Sequence, residues 1–204
     1  MSNYHLKEIL GAEIKEVKYI KEYKCINIDK FKNFLCLGYN KDFYNSIEYE
    51  ISKTNKFYTD GETVVMVGCG YLPLTLIAYS NYYPKSKFIG LDIDKEAILS
   101  SENLKNILKI KNILFEHEDG LKYNYKNADA IFIAAMIKNK QKMLDIIIET
   151  CNKGTKIFVR LFYKSDYKII NKLDNNKIKM IYRIDKNAYP KKEEYDLVVF
   201  EMVC

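Results

Sequence analysis

One stretch constrains this chain more than any other: Thr63-Val64-Val65-Met66-Val67-Gly68-Cys69-Gly70-Tyr71-Leu72-Pro73-Leu74-Thr75-Leu76-Ile77-Ala78-Tyr79-Ser80. Thr63–Val67 is a β-branched and apolar run, the pattern of a strand buried on both faces. Gly68 and Gly70 follow as a turn of bare backbone. Pro73 fixes φ where a helix can begin, because the first turn has no partner for its N–H anyway. Strand, glycine turn and helix is the unit with which doubly wound α/β folds cradle a nucleoside or a phosphate.

The full dinucleotide fingerprint is absent. Pro73 stands where the third glycine of G-x-G-x-x-G belongs, so close packing of the helix on a pyrophosphate is not supported. The next strand, Lys87-Phe88-Ile89-Gly90-Leu91-Asp92, ends in an acid about 20 residues on, a spacing that suits a carboxylate accepting ribose hydroxyls. Two glycines, no pyrophosphate glycine and a ribose acid favour S-adenosylmethionine (AdoMet) over NAD. The candidate cofactor contacts here are Gly68, Cys69, Gly70, Asp92 and Ile93.

The rest of the chain fits an α/β domain built on this unit. Residues 3–23 carry Leu6, Ile9, Leu10, Ile14, Val17 and Ile20 at helical spacing and read as a packing helix. Residues 31–40 form an aromatic, loop-like segment that includes Tyr39. Residues 41–52 look helical, with Glu48 one turn beyond Tyr44 among aromatic and aliphatic neighbours. After the glycine turn come a helix over 74–83, a helix over 95–108 and a strand over 113–117. Asp119-Gly120 follows, either as a plain turn or as an acid against an adenine amino group. A strand over 128–135 ends in small residues, Ala134 among them, that leave space for a ligand. A helix over 140–152 and a strand over 155–161 put Arg160 at a carboxyl end, placed to bind a carboxylate by a two-pronged hydrogen bond or to lie at the surface. A helix over 166–173 and two strands, 177–184 and 195–203, close the chain.

The expected architecture is a Rossmann-like class I AdoMet-dependent methyltransferase fold. Its sheet is seven-stranded and mostly parallel, ends in an antiparallel strand pair, and carries a small N-terminal helical extension. Residues 1–60 form the cap and 61–204 the AdoMet-binding domain. A length of 204 residues and an apolar content of 48% support one such core.

The net charge of +6 invites a nucleic-acid reading, but only two of the 33 basic residues are arginines, Arg160 and Arg183. The lysines are scattered among acids, and arginine is the better residue for bidentate contacts to bases and phosphates. The five cysteines are odd in number and lack a C-x-x-C pair, which suits a reducing cytosol and neither a disulfide framework nor a zinc site. With His5 and His117 the sole histidines, no metal site is expected. The longest apolar run, residues 130–137, is too short to span a bilayer, and the charged start does not read as a signal peptide. The expectation is a cytoplasmic protein without membrane or nucleic-acid partners.

The glycine stretch also resembles a family. Residues 67–75 resemble the G-x-G-x-L-P-L-T motif of nicotianamine synthases, which are related to bacterial staphylopine-type opine metallophore synthases. Asp92-Ile93-Asp94 resembles the family's D-I-D, and residues 131–136 its V-F-L-A-A-L segment. Val159-Arg160 matches the arginine that closes its fifth strand. Asn40 through Glu48-Tyr49 resembles its N-Y…L…E-Y helix, and Tyr189-Pro190 has a counterpart. The likeness extends over residues 39–203. This chain departs from the pattern at Tyr71, at Leu161-Phe162 after the arginine, and in a shorter N-terminal region.

The resemblance implies an unusual use of AdoMet. Its 3-amino-3-carboxypropyl arm, rather than its methyl group, passes to the amine of a small amino-acid-like acceptor, and methylthioadenosine leaves. The amine must be neutral to attack, so a base is needed. Glu48 matches the family's catalytic acid, and an aromatic setting would make it a better base by desolvation. Arg160 would hold the donor's carboxylate. Tyr71 and Tyr39 would line the site and orient the amine. The alternatives are a methyltransferase acting on a small molecule or RNA, and a non-catalytic AdoMet-binding partner subunit.

Overall fold

The computed structural model describes residues 38–170, 176–190 and 195–204. The helix expected over 3–23 and the aromatic segment before Gly38 lie outside them. In the described residues the strands are β1 (Thr63–Val67), β2 (Lys87–Asp92), β3 (Ile113–His117), β4 (Ala130–Ile133), β5 (Lys156–Leu161), β6 (Ile178–Ile184) and β7 (Asp196–Met202). The helices are α1 (Gly38–Thr54), α2 (Leu74–Tyr82), α3 (Lys95–Leu108), α4 (Lys140–Thr150) and α5 (Asp166–Ile170).

The strands form one seven-stranded sheet in the order β3-β2-β1-β4-β5-β7-β6. β1 pairs in parallel with both β2 and β4, β2 with β3, and β4 with β5. β7 inserts antiparallel between β5 and β6. The expected class I AdoMet-dependent methyltransferase fold is therefore the observed one. The chain runs outward from β1 through β2 to β3, then returns to β4 on the other side of β1. That reversal leaves a crevice beyond the carboxyl ends of β1 and β4, where open α/β sheets bind ligands.

Strand alternation builds two cores. Val64, Met66, Phe88, Phe132 and Phe158 face α1, α2 and α3, which contribute Ile47, Ile51, Leu76, Tyr79 and Leu104. Val65, Val67, Leu91, Ile131 and Val159 face α4 and α5, with Met143, Leu144, Ile147 and Ile169. β4 is apolar at every position, and β1 at every position after Thr63, because both faces are covered.

Some bounds shift. α1 begins at Gly38, three residues before the expected start at Lys41, and β4 is confined to Ala130–Ile133 within the strand expected over 128–135. Leu74 is the first helical residue of α2, as expected, with Pro73 just before it at φ −79 and ψ 54.

Gly90 shows how tightly the α1–α3 face is packed. A Cβ there would stand 2.7 Å from Phe115 Cδ1 and 2.8 Å from Leu76 Cδ1. Gly90→Ala is therefore expected to destabilise the fold by about 1–3 kcal/mol, read as a lower urea midpoint at unchanged m-value.

Candidate active site

The glycine turn leaves β1 in a conformation that side chains disfavour: Gly68 has φ +78 and Gly70 φ +70. Its backbone is held from three directions. Gly68 and Cys69 N–H both donate to the carbonyl of Leu91, at 2.9 and 3.1 Å. Gly70 N–H donates to Asp92 Oδ2 at 2.9 Å. Ser101 and Ser100, both on α3, donate to the carbonyls of Gly70 (2.8 Å) and Tyr71 (3.1 Å). A Cβ on Gly70 would meet nothing within 4 Å, so that side of the turn is open, whereas one on Gly68 would press into Ile137 and Ala134.

Asp92 ends β2, half-buried, with its other oxygen accepting Asp94 N–H at 3.0 Å. Each carboxylate oxygen thus holds one backbone donor and keeps lone-pair capacity for another hydrogen bond. Two vicinal hydroxyls suit that arrangement. Ile93 is 72% exposed beside it, an apolar surface at the rim of the crevice. Tyr71 donates its hydroxyl to Asp94 Oδ2 at 2.6 Å, and Asp94 Oδ1 caps α3 by accepting Glu96 N–H. The Tyr71 phenol is pushed up to about 12, first by that hydrogen bond and then by burial. Its proton stays in place at neutral pH, and its hydroxyl ties the glycine turn to the acid loop. Cys69 is buried, and burial pushes its thiol up.

The exits of β3 and β4 complete the rim. Glu118 N–H donates to the Asp92 carbonyl, which brings the β3 exit to the β2 exit. Asp119, half-buried, uses Oδ1 to accept Leu121 N–H at 2.9 Å, an Asx turn. Gly120 is buried, where a Cβ would strike Val67 Cγ1 at 2.7 Å. Close packing thus explains this glycine. Ala134 lies against Gly68, its N–H on the Val67 carbonyl at 3.1 Å.

Arg160 stands at the carboxyl end of β5 as expected, but it is buried and its fork is taken. Nε and Nη2 donate to Glu50 Oε1 and Oε2, at 3.2 and 2.7 Å, and Nη1 donates to Thr75 Oγ1 at 3.0 Å. Tyr189 adds its hydroxyl to Glu50 Oε1 at 2.9 Å. The rings of Phe43 and Tyr195 lie within 6 Å of the guanidinium carbon, at 5.9 and 5.3 Å. Burial works against the Arg160 charge, yet the attraction of Glu50 outweighs it and holds the guanidinium above its ordinary range. For Tyr189, burial and then the Glu50 charge push the phenol up.

The acid in the aromatic setting is therefore Glu50, and Glu48 is exposed. Two residues along a helix rotate a side chain by about 200°, so when one faces the sheet the other faces solvent. Glu48 raises the phenol of neighbouring Tyr44 through its charge, after the larger effect of burial. It does not join the cluster at the glycine turn. Tyr39 lies in the first turn of α1, and its side chain is outside the description.

Sequence reasoning missed Glu50, and a signal for it was present. Phe43, Ile47, Glu50, Ile51 and Thr54 follow one helical face, and a carboxylate in that phase needs a buried partner. Ser100, Ser101 and the ammonium of Lys140 had no comparable signal, because the serines bond carbonyls of the distant glycine turn and Lys140 pairs with a carboxylate on a later helix. Among the described residues no group of three or more His, Cys, Asp or Glu could hold a metal ion. No helix among them is long and apolar enough to cross a membrane.

Residues 58–201 match the family model described as "Methyltransferase domain". No curated protein matches at the sequence level. Among solved structures, a mutant of MtNAS, a nicotianamine synthase, in complex with S-adenosylmethionine superposes with a TM-score of 0.75 at 15% identity. The match covers 98% of this chain and 76% of that one. A putative rRNA methylase from Clostridium thermocellum gives 0.62 at 18% identity, over 78% of this chain and 97% of that one. An rRNA methylase from Streptococcus thermophilus gives 0.60 at 13%, with the same two coverages, 78% and 97%. At these identities the likeness is one of fold.

Two outcomes follow from the geometry. Glu50→Gln leaves the buried Arg160 charge uncompensated and should cost about 3–5 kcal/mol, whereas Glu48→Gln at the surface should stay within about 0.5 kcal/mol; chemical denaturation compares them. Tyr71→Phe should weaken AdoMet binding by several-fold, about 1 kcal/mol for one hydrogen bond. The deficit should be equal at pH 7 and pH 9 in calorimetric titrations, because the wild-type phenol does not ionise in that interval.

Proposed function

The chain belongs to the methyltransferase-domain family, and within it we propose that this protein is an AdoMet-dependent transferase moving the 3-amino-3-carboxypropyl arm to an amine. The observation that carries this reading is coverage. The likeness to MtNAS takes in 98% of this chain, including the part before the family match, whereas the two rRNA methylases share 78%. A likeness over 98% of the chain takes in α1, which the Glu50–Arg160 pair ties to the carboxyl end of β5.

In this reading Asp92 receives the ribose hydroxyls, the open side of Gly70 admits the donor, and Ile93 offers its exposed face to the adenine. The acceptor nitrogen forms a bond to Cγ as the bond from Cγ to sulfur breaks, and methylthioadenosine leaves with the electron pair. AdoMet supplies the electrophile; the chain supplies alignment, because Cγ rather than the methyl carbon must meet the nitrogen in line. The donor's carboxylate does not fall to Arg160, whose fork is filled by Glu50. Proton removal from the acceptor is assigned to Glu48 on the family resemblance, with the exposed Glu48 carboxylate reaching the acceptor from the solvent side of α1, since both oxygens of Glu50 are committed. The acceptor is a small amino-acid-like amine, the product is of metallophore type, and a cytoplasmic setting fits the free thiols.

A second reading, methyl transfer to a small molecule or RNA, is favoured by the family match and by the 97% of each rRNA methylase chain that superposes. Mass spectrometry separates the two. Purified protein is incubated with AdoMet and a pool of amino acids that includes both histidine enantiomers. Arm transfer predicts methylthioadenosine with a matching acceptor adduct, and S-adenosylhomocysteine would overturn it in favour of methyl transfer. Glu48→Gln should suppress turnover with AdoMet affinity retained, and unchanged turnover would remove Glu48 from the chemistry.

A further inference from the structure

Lys140 is an unusual residue for its place. It opens α4, where the helix dipole disfavours a cation, and its side chain is 0% exposed, where desolvation disfavours any charge. Burial pulls its ammonium below the ordinary lysine range, opposed by the hydrogen bond and charge of Asp166. An ammonium in such a position needs every donor satisfied. Lys140 Nζ donates to the carbonyls of Ala135 and Ile137, both at 2.7 Å, and meets Asp166 Oδ2 at 2.9 Å. Three donors find three acceptors.

Asp166 is buried as well, and the same Oδ2 accepts the N–H groups of Phe162 (3.0 Å) and Tyr163 (2.9 Å). The Tyr163 ring lies 5.2 Å from Nζ. One ion pair thus ties two loops together: residues 134–137, which leave β4 and pack against Gly68, and residues 162–163, which leave β5. Both loops stand at the carboxyl ends of the strands, on the side where this kind of sheet binds its ligands. The glycine turn and Asp92 are held separately, by Ser100, Ser101, Leu91 and Asp94.

From this division of labour we infer that Lys140 and Asp166 are positioning residues for group transfer: they fix the wall against which the acceptor meets the donor, and touch neither. The inference rests on the transferase reading for its kinetic consequence but not for its structural one. Breaking the pair by one substitution leaves a lone buried charge and risks unfolding. Lys140→Met with Asp166→Asn removes both charges and keeps an amide oxygen for the two N–H groups, while the carbonyls of Ala135 and Ile137 lose their donor.

The test compares this double variant with wild type by thermal unfolding, AdoMet titration, total release of nucleoside (methylthioadenosine plus S-adenosylhomocysteine) and amide hydrogen exchange. The expected result is a folded protein with AdoMet affinity within about threefold and nucleoside release down by about tenfold or more, since small misplacements of reacting groups cost that much. Exchange should quicken at residues 134–137 and 162–163. Wild-type release, or a loss of affinity that accounts for the whole loss of release, would overturn the inference. If wild-type protein releases neither nucleoside, the transferase reading has failed, and exchange alone decides the brace. Unchanged exchange in the double variant overturns it, and quickened exchange confined to the two loops supports it.

Discussion

The hydrogen bond from Gly70 N–H to Asp92 Oδ2 is the contact on which the crevice beyond the carboxyl ends of β1 and β2 depends. It joins the exit of β1 to the exit of β2, the two strands on either side of the first crossover. Gly70 can offer its N–H there because it sits at φ +70, and Asp92 can accept because β2 ends at that residue. The serines of α3 close the turn from the other side, and Tyr71 ties it to Asp94. A left-handed turn held at so many points is preorganised: little ordering remains to be done when a ligand enters.

The carboxyl ends of β4 and β5 are organised by buried charge. Arg160 with Glu50 anchors α1 to β5, and Lys140 with Asp166 anchors the loop after β4 to the loop after β5. Neither pair is an obvious source of net stability, because desolvation offsets much of the attraction. What such pairs supply is registry. A guanidinium fork accepts one orientation of a carboxylate, and an ammonium with three fixed acceptors leaves its loops one arrangement. Both cations are spent internally, so among the described residues neither Arg160 nor Lys140 presents its charge to an anionic ligand.

The sheet was legible because its signals are local. The β-branched run into Gly68 and Gly70, the acid at Asp92 and the turns after His117 mark strand ends directly. β3 and α3 fall at the bounds their patterns predict, residues 113–117 and 95–108. The glycine turn and Asp92 were legible for the same reason. The charge pairs were not, because each depends on contacts far apart in sequence: Glu50 and Arg160 are 110 residues apart. Arg160 was rightly placed on its strand, but its partner could not be read from the strand. A periodicity that counted Glu50 as a core position would have exposed the pair; aromatic neighbours drew attention to Glu48 instead, one strip of helix away.

The most direct measurement is a calorimetric titration of AdoMet into wild-type protein and into Asp92→Asn. Saturable binding by wild type, weakened by at least about tenfold in a variant that stays folded, is the outcome predicted for a carboxylate that holds both the glycine turn and the ribose. Equal affinities, or no binding to wild type, would contradict the assignment of this end of the sheet as the donor site.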